Sequence, residues 1–129
     1  MVVVVNENPL VMAYMGDTIY EQYVREYLIR SGLCKIGDLQ KKSLDYVSAR
    51  SQRRHLERME GNNFLTEEEL EIIKWGRNAK GPKSKSTDIV TYRLATGLEA
   101  LIGKLYFQNK NERIKEIMEY ISSAHCQSD

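Results

Sequence analysis

Two carboxylic acids stand where helical segments otherwise carry carbon. Asp17 falls among apolar positions that recur at three- and four-residue steps, Leu10, Ala13, Tyr14, Val24 and Leu28. Glu99 lies inside residues 95–107, the most apolar helical stretch of the chain. An isolated carboxylate in such surroundings is costly and is normally paired, protonated or bound to a metal. One reading is bland: each acid caps a helix, pairs with a neighbouring cation, or sits at the edge of an amphipathic face. The other needs the fold to bring the two together. A hard divalent cation is then their natural occupant, because Mg²⁺ takes one or two protein carboxylates and keeps several waters. One retained water would serve as nucleophile for hydrolysing a phosphodiester.

Other residues compete weakly for such a role. Glu21 lies one turn after Asp17, about 6 Å along a helix axis, but Arg25 a further turn on offers it an ordinary ion pair. Asp88 lies about 16 Å from Glu99 along an ideal helix, too far to share one ion, and reads better as an N-cap, as does Thr87. His55 sits in a basic helix and His125 in a polar tail, and both read as surface residues. Cys34 and Cys126 show no metal-ligand spacing. No Ser/His or Cys/His set offers a competing nucleophile. Gly16, Gly97 and Gly103 flank the two acids, and a helix-interior glycine costs about 1 kcal/mol against alanine. Three of them point to close approach by another helix or a ligand.

The elements that must position these residues read as helices throughout. The first runs from Leu10 to Leu28 and ends at Ser31-Gly32. A second helical region spans residues 38–59, with a break expected near residues 43–46 and closure at Gly61-Asn-Asn63. Thr66 with Glu69 forms a capping-box pattern that opens a third helix through Trp75. Residues 76–86 read as a polar loop punctuated by glycine and proline. A strongly apolar helix follows from Asp88 to Phe107. A last one, residues 111–123, carries Ile114, Ile117, Met118 and Ile121 on one face. The eight tyrosines, at helical spacing, read as core or interface residues before base-stacking ones. The expected fold is all-α, a single domain over residues 1–129 with flexible ends at about 1–8 and 124–129.

Composition limits the rest. The 129 residues suffice for one core and not two. The apolar run Met1-Val-Val-Val-Val5 stops at Asn6, too short for a membrane span or signal core, so a cytoplasmic protein without membrane contact is expected. Net charge is only +1, from 19 Lys+Arg against 18 Asp+Glu, so any polyanion must be held by local patches. The sharpest patch runs from Lys74 to Lys85, where Lys74, Arg77, Lys80, Lys83 and Lys85 meet no acid. On a loop it could follow a phosphate track, though solvated charge is the bland alternative. A second group, Lys41, Lys42, Arg50, Arg53 and Arg54, has Asp45, Glu57 and Glu60 nearby to neutralise part of it.

Ala13-Tyr-Met-Gly-Asp-Thr-Ile-Tyr-Glu21 resembles the hallmark segment of the ribonuclease III family, and Leu98-Glu-Ala-Leu-Ile-Gly103 resembles its second acidic segment. The family's usual pattern has four acids, but here Ala13 and Thr96 stand at two of those positions. That reduced set resembles the minimal branch, the mini-ribonuclease III proteins. The likeness extends to Lys41-Lys42-Ser43, Val47-Ser-Ala-Arg-Ser-Gln52, Phe64-Leu-Thr-Glu-Glu-Glu69, Gly76-Arg-Asn-Ala79 and Thr87-Asp-Ile-Val-Thr-Tyr-Arg93. The resemblance implies an all-helical two-fold homodimer that cuts double-stranded RNA, including precursors of large-subunit ribosomal RNA, and leaves 5′-phosphates. It implies Asp17 and Glu99 as the catalytic and metal-holding acids, with Mg²⁺ as cofactor and Mn²⁺ able to substitute. Arg77, Asn78, Lys80, Lys83 and Lys85 become the expected RNA-binding residues, and an accessory ribosomal protein is a further conceivable partner. The rival reading is a protein of the same fold that binds structured RNA without cutting it.

Overall fold

The computed structural model describes residues 7–79 and 88–126, with side chains as far as Ser123, and every regular element among them is helical. In chain order these are α1 (Pro9–Arg30), α2 (Ile36–Val47), α3 (Ala49–Gly61), α4 (Glu67–Arg77), α5 (Ile89–Phe107) and α6 (Asn111–Cys126). The all-α expectation holds. None of these helices is long and apolar enough to cross a membrane.

Local chemistry sets the boundaries. Asn8 accepts from the Leu10 amide at 2.8 Å, and Pro9 follows in the first turn, where its missing N–H costs nothing. At the far end of α1 the chain turns at Gly32, whose φ of 104° suits only glycine. The expected break in the second helical region falls at Ser48, not at 43–46. Ser48 is extended and its hydroxyl accepts from the Ser51 amide, so it ends α2 and caps α3. The Thr66–Glu69 capping box forms as read, with bonds of 2.9 and 3.1 Å. Asp88 caps α5 by accepting from the Thr91 amide at 2.9 Å.

The helix α5 is buried on nearly all sides, as an apolar helix must be. Its neighbours are α1, α3, α4 and α6. Two of these contacts are made backbone to backbone. A Cβ on Gly16 would stand 1.8 Å from the Glu99 carbonyl oxygen, and one on Gly103 would stand 1.9 Å from that of Met12. A Cβ on Gly97 would stand 2.6 Å from the Ile73 carbonyl oxygen, and one on Gly76 would meet Ala100. Close helix approach, one of the two causes expected for these glycines, is therefore what they serve. Around this axis pack Tyr20, Val24, Leu28, Leu56, Met59, Leu98, Leu101, Ile102, Leu105, Ile114, Ile117 and Ile121, all at most 2% exposed.

The far side is locked by one ion pair. Glu69, 5% exposed, accepts from Arg113 at 2.7 and 2.8 Å, and Arg113 also donates to the Phe64 carbonyl at 2.7 Å. The guanidinium lies over the Phe64 ring. Burial raises the Glu69 pKa, but the Arg113 and Thr66 bonds outweigh it and hold the carboxyl below its ordinary value.

Candidate active site

The α1–α5 crossing brings the two acids together. Gly16 lets the α1 backbone touch α5 at Glu99, and Asp17 is the next residue. Glu99 is half-buried and its carboxyl is hydrogen-bonded to that of Asp17. Burial, then the Asp17 hydrogen bond and charge, push the Glu99 carboxyl up to about 8, against an ordinary 4.5. A carboxyl this basic is protonated at neutral pH and donates to its neighbour. Among the described residues neither acid caps a helix or pairs with a cation, while Asp17 does lie exposed on α1, as the third bland alternative had it.

Asp17 does not lie on the buried stripe, because Asp17 is exposed and Tyr14, counted as apolar, is 82% exposed. The stripe that α1 buries is Met12, Ala13, Gly16, Ile19, Tyr20, Val24 and Leu28. The pair therefore has one exposed member and one half-buried member.

The arrangement suits a hydrated cation. Two carboxyls forced together must hold a proton or a positive ion between them, and hard divalent cations prefer oxygen donors. Among the described residues no group of three or more His, Cys, Asp or Glu could hold a metal. A cation here would take Asp17 and Glu99 from the protein and water for its remaining ligands.

Behind Glu99 lies a layer that sequence reasoning missed. Gln52 on α3 is 2% exposed, and its Nε2 donates to the Val47 carbonyl at 3.1 Å and to Glu99 Oε2 at 3.4 Å. Tyr20 is buried beside them and donates to the Tyr46 carbonyl at 2.6 Å. Burial first, and Glu99 second, hold its phenol well above the ordinary range. His55, read as a surface residue, is 1% exposed and stacks on Tyr46. The missed signal was the stripe Gln52, His55, Leu56 and Met59, where polar side chains share an apolar face and must be satisfied.

The remaining candidates separate cleanly. Glu21 pairs with Arg25 at 3.0 Å, the ordinary ion pair foreseen for it. Asp88 is a cap that also accepts from the Thr91 hydroxyl, which accepts from Arg53 at 2.9 Å. In the second basic group Lys42 pairs with Asp45 and Arg53 with Glu57. The expected loop at 76–86 begins later than read: Gly76 and Arg77 close α4, where Gly76 is buried against α5, and Asn78 is its C-cap. Arg77 and Asn78 leave the helix at its carboxyl end, while Lys80, Lys83 and Lys85 lie outside the described residues.

Residues 10–110 match the model of the Ribonuclease III domain. The chain belongs to the ribonuclease III family. It is 44% identical over 115 residues to the Mini-ribonuclease 3 of Staphylococcus aureus, covering 88% of this chain and 86% of that protein. To the Mini-ribonuclease 3 of Brevibacillus brevis it is 49% identical over 113 residues, covering 87% and 83%. A crystal structure of a protein from Fusobacterium nucleatum superposes with a TM-score of 0.81 at 31% identity, over 92% of this chain and 95% of that one. Ribonuclease III proteins are endoribonucleases, and the matched segment spans both acids, Gln52 and the end of α4.

Proposed function

We propose that this protein is a Mg²⁺-dependent endoribonuclease that cleaves double-stranded RNA, with Asp17 and Glu99 as its catalytic, metal-holding acids. The observation that carries this reading is the carboxyl-to-carboxyl contact of those two residues at the α1–α5 crossing. Bound there, Mg²⁺ (or Mn²⁺) would supply positive charge to the scissile phosphate and an activated water, leaving a 5′-phosphate and a 3′-hydroxyl. Asp17 approaches from the exposed side and Glu99 from the half-buried side, so the phosphate enters over Asp17. The two carboxylates would fix the cation's position. To hold a cation Glu99 would have to release its proton, which would couple loading to pH.

Arg77 and Asn78, with Lys80, Lys83 and Lys85 beyond them, form the RNA-binding segment in this reading. They contact phosphates and the shallow minor groove, so recognition rests on duplex shape with weak sequence preference. Pairing of two copies is supported by Tyr14, 82% exposed, and Val11, 42% exposed, one and two turns before Asp17 on α1. Apolar groups left open beside the acids suit a two-fold partner that doubles the hold on a duplex. The resemblance of the two acidic segments to the mini-ribonuclease III branch implies a cytoplasmic role in maturing large-subunit ribosomal RNA precursors, where a ribosomal protein could present the substrate.

The test is cleavage of a long duplex RNA in Mg²⁺ by the protein and by its Asp17→Asn variant, with EDTA and single-stranded RNA as controls. Cutting of the duplex alone, lost with EDTA and in the variant, is the expected result. Equal duplex binding by both proteins with no cutting by either would make this an RNA-binding scaffold.

A further inference from the structure

The amide of Gln52 is one of few polar side chains sealed in the core, and its placement follows from the break between α2 and α3. Ser48 ends α2, and its hydroxyl and carbonyl take the Ser51 and Gln52 amides. The Gln52 side chain turns back to the last residue of α2 and donates to the Val47 carbonyl at 3.1 Å. A carbonyl can only accept, so the nitrogen end of the amide is the end held there. The same nitrogen reaches Glu99 Oε2 at 3.4 Å. The oxygen end, Gln52 Oε1, is fully buried and accepts no hydrogen bond among the described residues. A buried acceptor left unmet costs about 1–3 kcal/mol, so the orientation that presents N–H to Glu99 is held against a penalty. Methionine or leucine would fill the same volume without it.

We propose that Gln52 is a positioning residue for the reaction, locking the Glu99 carboxylate in the orientation that receives the divalent cation. This rests on the assignment of Asp17 and Glu99 as the metal-holding acids. The α2–α3 break presents the Val47 carbonyl, that carbonyl sets the Gln52 amide, and the amide's second hydrogen favours one ionised oxygen of Glu99. The other Glu99 oxygen is left to face Asp17 and the cation. Groups that orient metal ligands in this way commonly govern affinity or activity by tenfold or more.

The experiment uses the uniformly ¹⁵N-labelled full chain and a Gln52→Met variant. Mg²⁺ titration of the wild type is expected to shift the Gln52 side-chain NH₂ resonances together with the backbone amides around Asp17 and Glu99, and to leave the other glutamine side chains unmoved. Gln52→Met is expected to bind Mn²⁺ about tenfold more weakly by calorimetry and to lose about tenfold in kcat on duplex RNA. KM for the duplex should stay as it was. Because the NMR signature is read on the unsubstituted protein, it decides the matter even if the variant does not fold. Backbone shifts around Asp17 and Glu99 without any response of the Gln52 amide would overturn the proposal, as would a folded variant with wild-type Mn²⁺ affinity and kcat. If Asp17→Asn binds Mn²⁺ like the wild type, the metal-site assignment itself fails, and the role of Gln52 falls with it.

Discussion

Glu99 donates a hydrogen bond to Asp17, so the half-buried acid of the pair keeps its proton beside the exposed one. That proton sets the pH behaviour of the metal-free protein.

The Glu99 carboxyl titrates at about 8 in the fold and at 4.5 as an ordinary glutamic acid. Between those values the unfolded chain has released this proton while the folded chain keeps it. The folded state then binds more protons, and its stability falls as pH rises. Urea midpoints of the metal-free protein are expected to decline from about pH 5 to pH 8, and Mg²⁺ should recover the loss at the upper end. Asp17→Asn removes one of the causes, so it should flatten the decline and raise metal-free stability near pH 7 by about 1 kcal/mol. A midpoint that climbs across this window would contradict the retained proton.

Glu69 works in the opposite sense. Its folded pKa lies below the ordinary value, so its contribution is present above the unfolded pKa and disappears as pH falls through the folded one. Arg113→Met strands a nearly buried carboxylate and is expected to cost about 3 kcal/mol, measured by chemical denaturation at pH 7. The double variant Glu69→Gln with Arg113→Met should recover part of that loss, because no unpaired charge remains. Equal stability of the two variants would mean that the stranded charge is not the source of the cost.

Glycine positions on α1 and α5 should tolerate nothing larger. Gly16→Ala and Gly103→Ala each drive a methyl into a carbonyl oxygen, at 1.8 and 1.9 Å before relaxation. A loss of about 3 kcal/mol or more is expected for each, since neither backbone can move without the other. Gly37→Ala, with nothing within 4 Å and a helical setting in α2, should gain about 0.5 kcal/mol. Thermal melts of the three variants settle the contrast, and similar values for Gly37 and Gly16 would refute it.

Tyr14 offers a clean test of pairing between copies. Its ring is 82% exposed, so Tyr14→Glu should leave the helical circular dichroism and the melting temperature of a single chain intact. Sedimentation velocity is expected to show the wild type as a dimer and the variant as a monomer. A variant that sediments like the wild type would move the pairing surface elsewhere.

Much of this was legible in the residues, and the failures have identifiable causes. Thr66 with Glu69 and Asp88 with Thr91 mark helix starts through chemistry contained within one turn, so they could be read locally. The glycines beside the acids signalled close approach, because no other residue pays that entropic cost for nothing. Asp17 was put on the wrong face because tyrosine counts as apolar in a periodic pattern, and the Tyr14 ring points to solvent. Ser48 went unnoticed because a serine that caps looks like any other polar helix residue until the chain bends there. Gln52 was missed because its partner, Glu99, lies on a helix far along the chain, and no local pattern joins them.

The crossing of α1 over α5 at Gly16 and Gly103 has one more consequence. Where helices are held apart by interlocking side chains, their spacing drifts whenever the filling changes size. Here main chain rests on main chain, so the gap between Asp17 and Glu99 is a gauge cut in peptide rather than in side-chain volume. Substitutions at Val24, Leu28 or Ile117 can soften or harden the molecule without widening that gap. Resistance to heat and the distance between the acids are thereby separately adjustable, and the first can wander through many sequences while the second stands still.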